Sequence, residues 1–436
     1  MSIPGKRKVL IITYYWPPSG GAGVQRWLKF SKYLRDYDWE PVIYTPENPE
    51  APALDNSLEK DIPEGITIIK RPINEPYSIY KRFVGMKAGE KVNAGFLQEK
   101  EKPGLAEGIA VWLRGNFFIP DARRFWIRPS VKYLVDYLAT HPVDAIVSSG
   151  PPHSMHLIAL QIHKKLNIPW LADFRDPWTA IDFYHQLRLT SLADNLHHKL
   201  EKKVLTLATA ITVVSQDMAN EFNTIVNRNY QLVTNGFDEQ DISPLPQNQL
   251  DEKFTLSHIG SINASRNPFG LWRVLAEMVV ENPGFAKALQ IKLVGKVDIG
   301  VLKSIETNRL TSYLSSIEYM PHQDVMHEIQ KSEVLLLLIN NTPNAKGILT
   351  GKIFEYLGSG RPVLSIGPEE GEAAVILKDS DAGQTAGYEN EEGMRRILND
   401  YFIRFNEHRL GSNTGNRLKY SRKVLTGEIA AILNDM

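Results

Sequence analysis

The sequence predicts an α/β protein with two doubly wound parallel sheets in tandem. Three observations carry this. Short apolar runs alternate with helical patterns along most of the 436 residues, the pattern of a parallel sheet covered by helices on both faces. The runs are continuous rather than alternately polar, as in Val334-Leu335-Leu336-Leu337-Leu338-Ile339, so both faces of such strands are expected to be covered. The alternation restarts after a stretch at 238–250 that is rich in Asp, Gln and Pro and reads as a linker.

In the first half, strands are expected at 9–13, 41–45, 66–70, 145–148, 170–173 and 211–214. A helix is expected over 24–35, with Val24, Trp27, Leu28 and Leu34 sharing one side. The second half repeats the scheme with strands at 255–259, 291–294, 317–319, 334–339 and 362–366. Residues 80–132 break the alternation. They carry eleven Lys/Arg against five Asp/Glu, interspersed with Phe83, Trp112, Phe117, Phe118, Phe125 and Trp126. A helical insertion that touches anionic lipid head groups or a lipid-diphosphate acceptor has this make-up; so does a solvated face whose aromatics pack inward.

Composition excludes several classes. Lys plus Arg (50) cancels Asp plus Glu (50), which argues against coating nucleic acid by bulk charge. The absence of Cys removes disulfides, thiolate nucleophiles and Cys-based zinc sites. The longest aliphatic run has six residues, against about 20 for a membrane-spanning helix. Lys6-Arg7-Lys8 followed by Val9-Leu10-Ile11-Ile12 resembles a secretory leader only briefly. A cytoplasmic location is expected, with peripheral contact at the inner membrane face through 80–132. Asp379-Ser380-Asp381 spells D-x-D but suits a turn; no metal site is expected.

Three clusters carry potential chemistry. Ser19-Gly20-Gly21-Ala22-Gly23 lies between a strand and a helix, where a close backbone and free N–H groups suit an anion. Gly21-Ala22-Gly23-Val24-Gln25-Arg26 lacks the last glycine of a dinucleotide fingerprint, and a tight βα turn accounts for the glycines equally. Gly260-Ser261-Ile262-Asn263-Ala264-Ser265-Arg266 follows the first strand of the second sheet, and an Arg ending such a loop suits a diphosphate. The segment from Lys346 to Val363 places Thr350, Gly351 and Lys352 at a helix start. Ile353, Phe354 and Leu357 share one helical face while Lys352 and Glu355 share the other. A functional reading points Lys352 and the helix start at a diphosphate and Glu355 at vicinal ribose hydroxyls; an exposed Lys–Glu pair is the alternative.

These segments together resemble the GT-B glycosyltransferases close to retaining family 4 (glycosyl transferases group 1), over nearly the whole length. The similar segments are Pro17-Pro18-Ser19-Gly20-Gly21, residues 211–215 with Asn235-Gly236-Phe237-Asp238, Val294-Gly295, Glu318-Tyr319-Met320-Pro321, and Phe354-Glu355-Tyr356-Leu357 with Gly360-Arg361-Pro362-Val363. The resemblance implies two Rossmann-like doubly wound domains facing a cleft: an acceptor-side domain at 1–238, a nucleotide-sugar domain at 239–415, and a helix at 416–436 that crosses back. It implies sugar transfer from a nucleotide-diphosphate donor to a carbohydrate or lipid-linked acceptor with retention, without metal or cofactor, in surface polysaccharide or lipopolysaccharide synthesis. Donor-binding residues would be Gly20, Gly21, Ser261, Arg266, Lys346, Thr350, Gly351, Lys352 and Glu355. Ser261 stands at the family's usual Arg position, and Gly347 replaces the first carboxylate of its E-x7-E pair. Arg175 occupies the place of the family's active-site histidine, so Arg175, Asp173, Asp176 and His153 are the candidate catalytic residues. Two alternatives remain at this level: a catalytically silent GT-B scaffold, and a GT-B-like sugar-nucleotide epimerase.

Overall fold

The structure is a computed structural model, and it describes residues 6–50, 53–75, 105–181, 184–242, 250–318, 320, 322–411 and 416–436. Residues 80–104 of the basic stretch, including Phe83, part of the expected linker, and Tyr319 and Pro321 lie outside this set. The chain forms two compact units, Met1–Thr234 with Leu425–Met436, and Asn235–Val424.

The first unit contains β1 (Arg7–Ile12), α1 (Ala22–Tyr33), β2 (Trp39–Pro46), β3 (Thr67–Arg71), α2 (Leu105–Phe117), α3 (Arg124–Leu138) and β4 (Ala145–Gly150). It continues with α4 (Ser154–Leu166), β5 (Trp170–Phe174), α5 (Ser191–Leu207), β6 (Ala210–Val213), α6 (Gln216–Ile225) and β7 (Gln231–Leu232). Its sheet has the order β3-β2-β1-β4-β5-β6-β7, with parallel pairing throughout. The central strand shows why an unbroken apolar run forms here. Leu10 and Ile12 enter one core cluster with Trp126, Ile158 and Trp170. Val9 and Ile11 enter the opposite one with Val24, Trp27 and Leu28. Alternate side chains therefore meet different helical layers.

The second unit contains β8 (Phe254–Ile259), α7 (Phe269–Glu281), α8 (Pro283–Ala288), β9 (Leu289–Val294), α9 (Ile299–Thr307), β10 (Leu314–Ile317) and α10 (His322–Lys331). After these come β11 (Val334–Leu338), α11 (Gly351–Ser359), β12 (Val363–Ile366), α12 (Glu372–Asp379), β13 (Gly383–Ala386) and α13 (Glu391–Asn406). Its six parallel strands run β10-β9-β8-β11-β12-β13. The run from Val334 divides as in β1: Val334, Leu336 and Leu338 face one core, and Leu335, Leu337 and Ile339 the other.

The final helix, α14 (Arg422–Asp435), follows a short 3-10 turn at Asn416–Tyr420. Leu425, Ile429, Ala430 and Leu433 pack with Trp27 and Trp39 of the first unit, and the Trp39 indole donates to Asn434 at 2.9 Å. Two expectations need correction, and two strands were not expected. The strand expected at 317–319 forms at Leu314–Ile317, where it pairs with Ile291–Val294 of β9; its serines are tolerated because it is an edge strand. The expected helix at 24–35 starts at Ala22 and ends at Tyr33. Two further edge strands, β7 and β13, form where no apolar run marks them.

Candidate functional site

In each sheet the strand order reverses beside the first strand, between β1 and β4 and between β8 and β11. Loops leaving the carboxyl ends at such a reversal form a crevice suited to ligands. The two crevices are described separately.

In the second unit, β8 ends at Gly260 with φ 123°. A Cβ there would lie 2.1 Å from the Lys352 Nζ, so only glycine leaves room for the ammonium group. Gly295, at φ 120°, packs over Gly260 in turn, where a Cβ would stand 2.8 Å from the Gly260 carbonyl carbon. Lys352 lies in the first turn of α11, directly after Gly351, whose Cβ position is open space. Thr350 caps that helix in extended backbone, and its buried hydroxyl has no hydrogen-bond partner among the described residues. Arg266 approaches from the β8–α7 loop and donates through Nε to the side-chain oxygen of Asn340.

Lys352 has its pKa pushed down to about 8, chiefly by burial, then by the nearby Arg266, against an upward pull from Glu355. Burial also lowers Arg266. On β8, His258 donates or accepts through Nδ1 at the Leu336 carbonyl, 2.9 Å away. Burial first, then Lys352, holds it at about 3 and therefore neutral. Among the described residues neither cation has a carboxylate within ion-pair distance. Two half-buried cations beside a helix N-terminus, Arg266 lowering the pKa of Lys352, are an arrangement that suits an anion.

The structure thus brings together Arg266, Thr350, Gly351, Lys352 and Glu355. Lys346 stands apart, exposed and 3.6 Å from Glu370. Ser261 is exposed in the loop after Gly260. Asn340 and the need for glycine at 260 were not legible in the sequence; the one signal was the position of Gly260 immediately after a strand.

In the first unit, Arg175 joins the loops after β1, β4 and β5. It donates through Nη1 to the Gly23 carbonyl at 2.8 Å, through Nη2 to Pro151 and through Nε to Gly150 at 3.4 Å, while lying over the Tyr15 ring. Asp176 is exposed at the end of β5 and favours the charged form of this guanidinium. Asp173 corrects its expected role as Arg175's neighbour in a reactive cluster. It is fully buried and pairs with Arg26 at 2.8 Å. It also accepts from the Trp27 indole at 2.7 Å, Ser149 at 2.9 Å and Thr212 at 2.8 Å. Although burial pushes its carboxyl up, Arg26 and the neutral donors hold it below the usual carboxylate range. Asp173 is a core brace with all its acceptor capacity in use.

His153 precedes α4, is buried, and stacks on Trp178 with centroids 4.5 Å apart. Burial, with His156 and Arg175, lowers its pKa well below the ordinary value, so the imidazole is neutral. Gly20 donates its N–H to Ala53 at 2.8 Å, and a Cβ there would meet Asp55 at 3.1 Å; its lack of a side chain serves the fold. Gly21, exposed at φ 95°, caps α1 without a side-chain bond.

No protein-family model matches the chain, and no curated protein matches it in sequence. Solved structures do resemble it. A sucrose-phosphate synthase from Thermosynechococcus elongatus superposes with TM-score 0.59 at 12% identity over 98% of both chains. HepE from Anabaena, solved in complex with UDP-glucose, gives 0.57 at 13% over 99% of this chain and 100% of its own. WaaG, a glycosyltransferase involved in lipopolysaccharide biosynthesis, gives 0.55 at 13% over 98% and 100%. With its two successive Rossmann-like sheets, the chain has the GT-B fold.

Proposed function

We propose that this protein is a glycosyltransferase that moves a sugar from a nucleotide-diphosphate donor to a carbohydrate or lipid-linked acceptor, in the assembly of surface polysaccharide or lipopolysaccharide. The observation that carries this reading is the pair Arg266 and Lys352, half-buried beside the start of α11 and, among the described residues, without a carboxylate at ion-pair distance. A diphosphate supplies the charge that this arrangement lacks. In the transfer, the bond between the anomeric carbon and the diphosphate oxygen breaks, and the leaving group keeps the electron pair. Arg266, Lys352 and the α11 N–H groups stabilise the charge that develops there. The acceptor hydroxyl forms the new bond to the anomeric carbon, and its proton passes to a diphosphate oxygen. Glu355 accepts hydrogen bonds from the ribose hydroxyls. Asp176 is the proposed acceptor contact, with Arg175 and His153 shaping the loop behind it. UDP-glucose in HepE supports a nucleotide-sugar donor, and retention and metal independence rest on the family resemblance alone.

Arg266→Ala and Glu355→Ala, made separately, are each expected to weaken nucleoside-diphosphate binding by about 1.5–3 kcal/mol, the range for a charge-assisted hydrogen bond, and to lower turnover of the nucleotide sugar. Unchanged binding and turnover in both variants would refute the assignment. Hydrolysis or transfer by the parent protein argues against a silent scaffold, and an isomerised sugar formed without acceptor identifies an epimerase.

Membrane contact is part of the same reading. Trp112, Phe117 and Phe125 are exposed, Trp112 and Phe117 meet edge to face at 5.8 Å, and Arg124 and Arg128 are exposed beside Phe125. Aromatic side chains flanked by guanidinium groups suit an anionic bilayer surface. Co-sedimentation with vesicles containing phosphatidylglycerol, and its loss in a Trp112→Ser/Phe117→Ser/Phe125→Ser variant, checks this.

A further inference from the structure

Arg266 carries five N–H donors in a rigid fork. Its Nε is bonded to the side-chain oxygen of Asn340, and among the described residues neither terminal Nη donates to the protein. Asn340 lies just beyond β11, and its backbone carbonyl accepts the Tyr388 hydroxyl at 2.7 Å. The next residue, Asn341, donates its N–H to the Ser265 carbonyl at 3.3 Å. Loops that follow β8, β11 and β13 are therefore tied together around one guanidinium. Because Nε–H is a donor, the Asn340 amide must present its oxygen to Arg266, which turns its NH2 group elsewhere.

We propose that Asn340, steadied by Tyr388, is a positioning residue for Arg266. It holds Nε without cancelling the charge and leaves both Nη groups for the diphosphate. This rests on the reading of Arg266 as a diphosphate ligand. An amide suits the task where its isostere does not: a carboxylate at 340 would pair with the guanidinium and satisfy it internally. An alanine would leave Nε without its acceptor and the side chain free to turn.

The test is calorimetric titration of the full chain with inorganic pyrophosphate and with UDP. Asn340→Asp is expected to weaken pyrophosphate binding roughly 10- to 100-fold, the worth of a charge-assisted bond, while its thermal midpoint stays at or above that of the parent. Tyr388→Phe, which removes a single oxygen, is expected to weaken binding several-fold and gives an independent reading if the first variant folds poorly. In an Arg266→Ala background, Asn340→Asp is expected to add no further loss, since coupled residues are not additive. An equal loss in both backgrounds, or no loss from either variant, overturns the proposal while the anion site stands. If Arg266→Ala alone binds pyrophosphate as the parent does, the anion-site reading falls and the positioning role falls with it.

Discussion

Gly260 and Lys352 show how a backbone angle controls a charge. At φ 123° any side chain is strained by about 1–3 kcal/mol, and a methyl group would also displace the ammonium. Gly260→Ala is expected to weaken pyrophosphate binding about as much as Lys352→Met does, which paired titrations of the two variants will check. Lys352 also predicts a pH dependence. With its folded pKa lowered to about 8, it is charged below that value and neutral above it. Anion affinity is therefore expected to be highest below pH 8 and to fall as the pH rises through 8, and Lys352→Met should flatten that profile. The stability sign is opposite. Above about pH 8 the unfolded chain binds the proton more tightly, so this group makes the unbound fold more stable as pH rises toward the ordinary lysine range. Asp173 belongs to a different kind of residue. Asp173→Ala leaves Arg26 buried without its carboxylate and is expected to cost about 3–5 kcal/mol, read as a lower midpoint in chemical denaturation.

At the scale of elements, apolar continuity is what made β1 and β11 legible, because a strand buried on both faces needs no polar alternation. Edge strands lack that signal. In β13, Gly383 sits where a Cβ would come 2.1 Å from the Val363 carbonyl, so close strand approach, and not side-chain propensity, decides its sequence. The last helix is held by Leu425, Ile429 and Leu433 at fourfold spacing, one face of a helix. Ile429→Ala is expected to destabilise the protein by about 2–5 kcal/mol; urea unfolding of the intact chain measures it.

For the whole molecule, each unit carries its own cores on both sides of its own sheet. A ligand that binds one folded unit stabilises it by mass action, by about 2.7 kcal/mol at a hundredfold excess over Kd. UDP is expected to raise the thermal midpoint and to slow hydrogen exchange at 260–266 and 350–355, with little change at Gly20, whose N–H is already bonded within the protein. Exchange that slows at Gly20 as much as at 260–266 and 350–355 would contradict this placement.

The sequence by itself determined the α/β class, the central strands, the restart of the pattern and the helix that begins beside Lys352, because apolar period and chain length are local properties. It also contained Arg266 and Glu355 in motifs similar to a known family. Tertiary structure alone decided which polar residues meet. Asp173 and Arg175 are two positions apart in the chain, yet one is enclosed by Arg26, Trp27 and Thr212 while the other reaches the carbonyls of Gly23, Gly150 and Pro151. Asn340 reaches Arg266 across 74 positions. Such partners are chosen by which strands lie side by side in a sheet, and no local pattern encodes that.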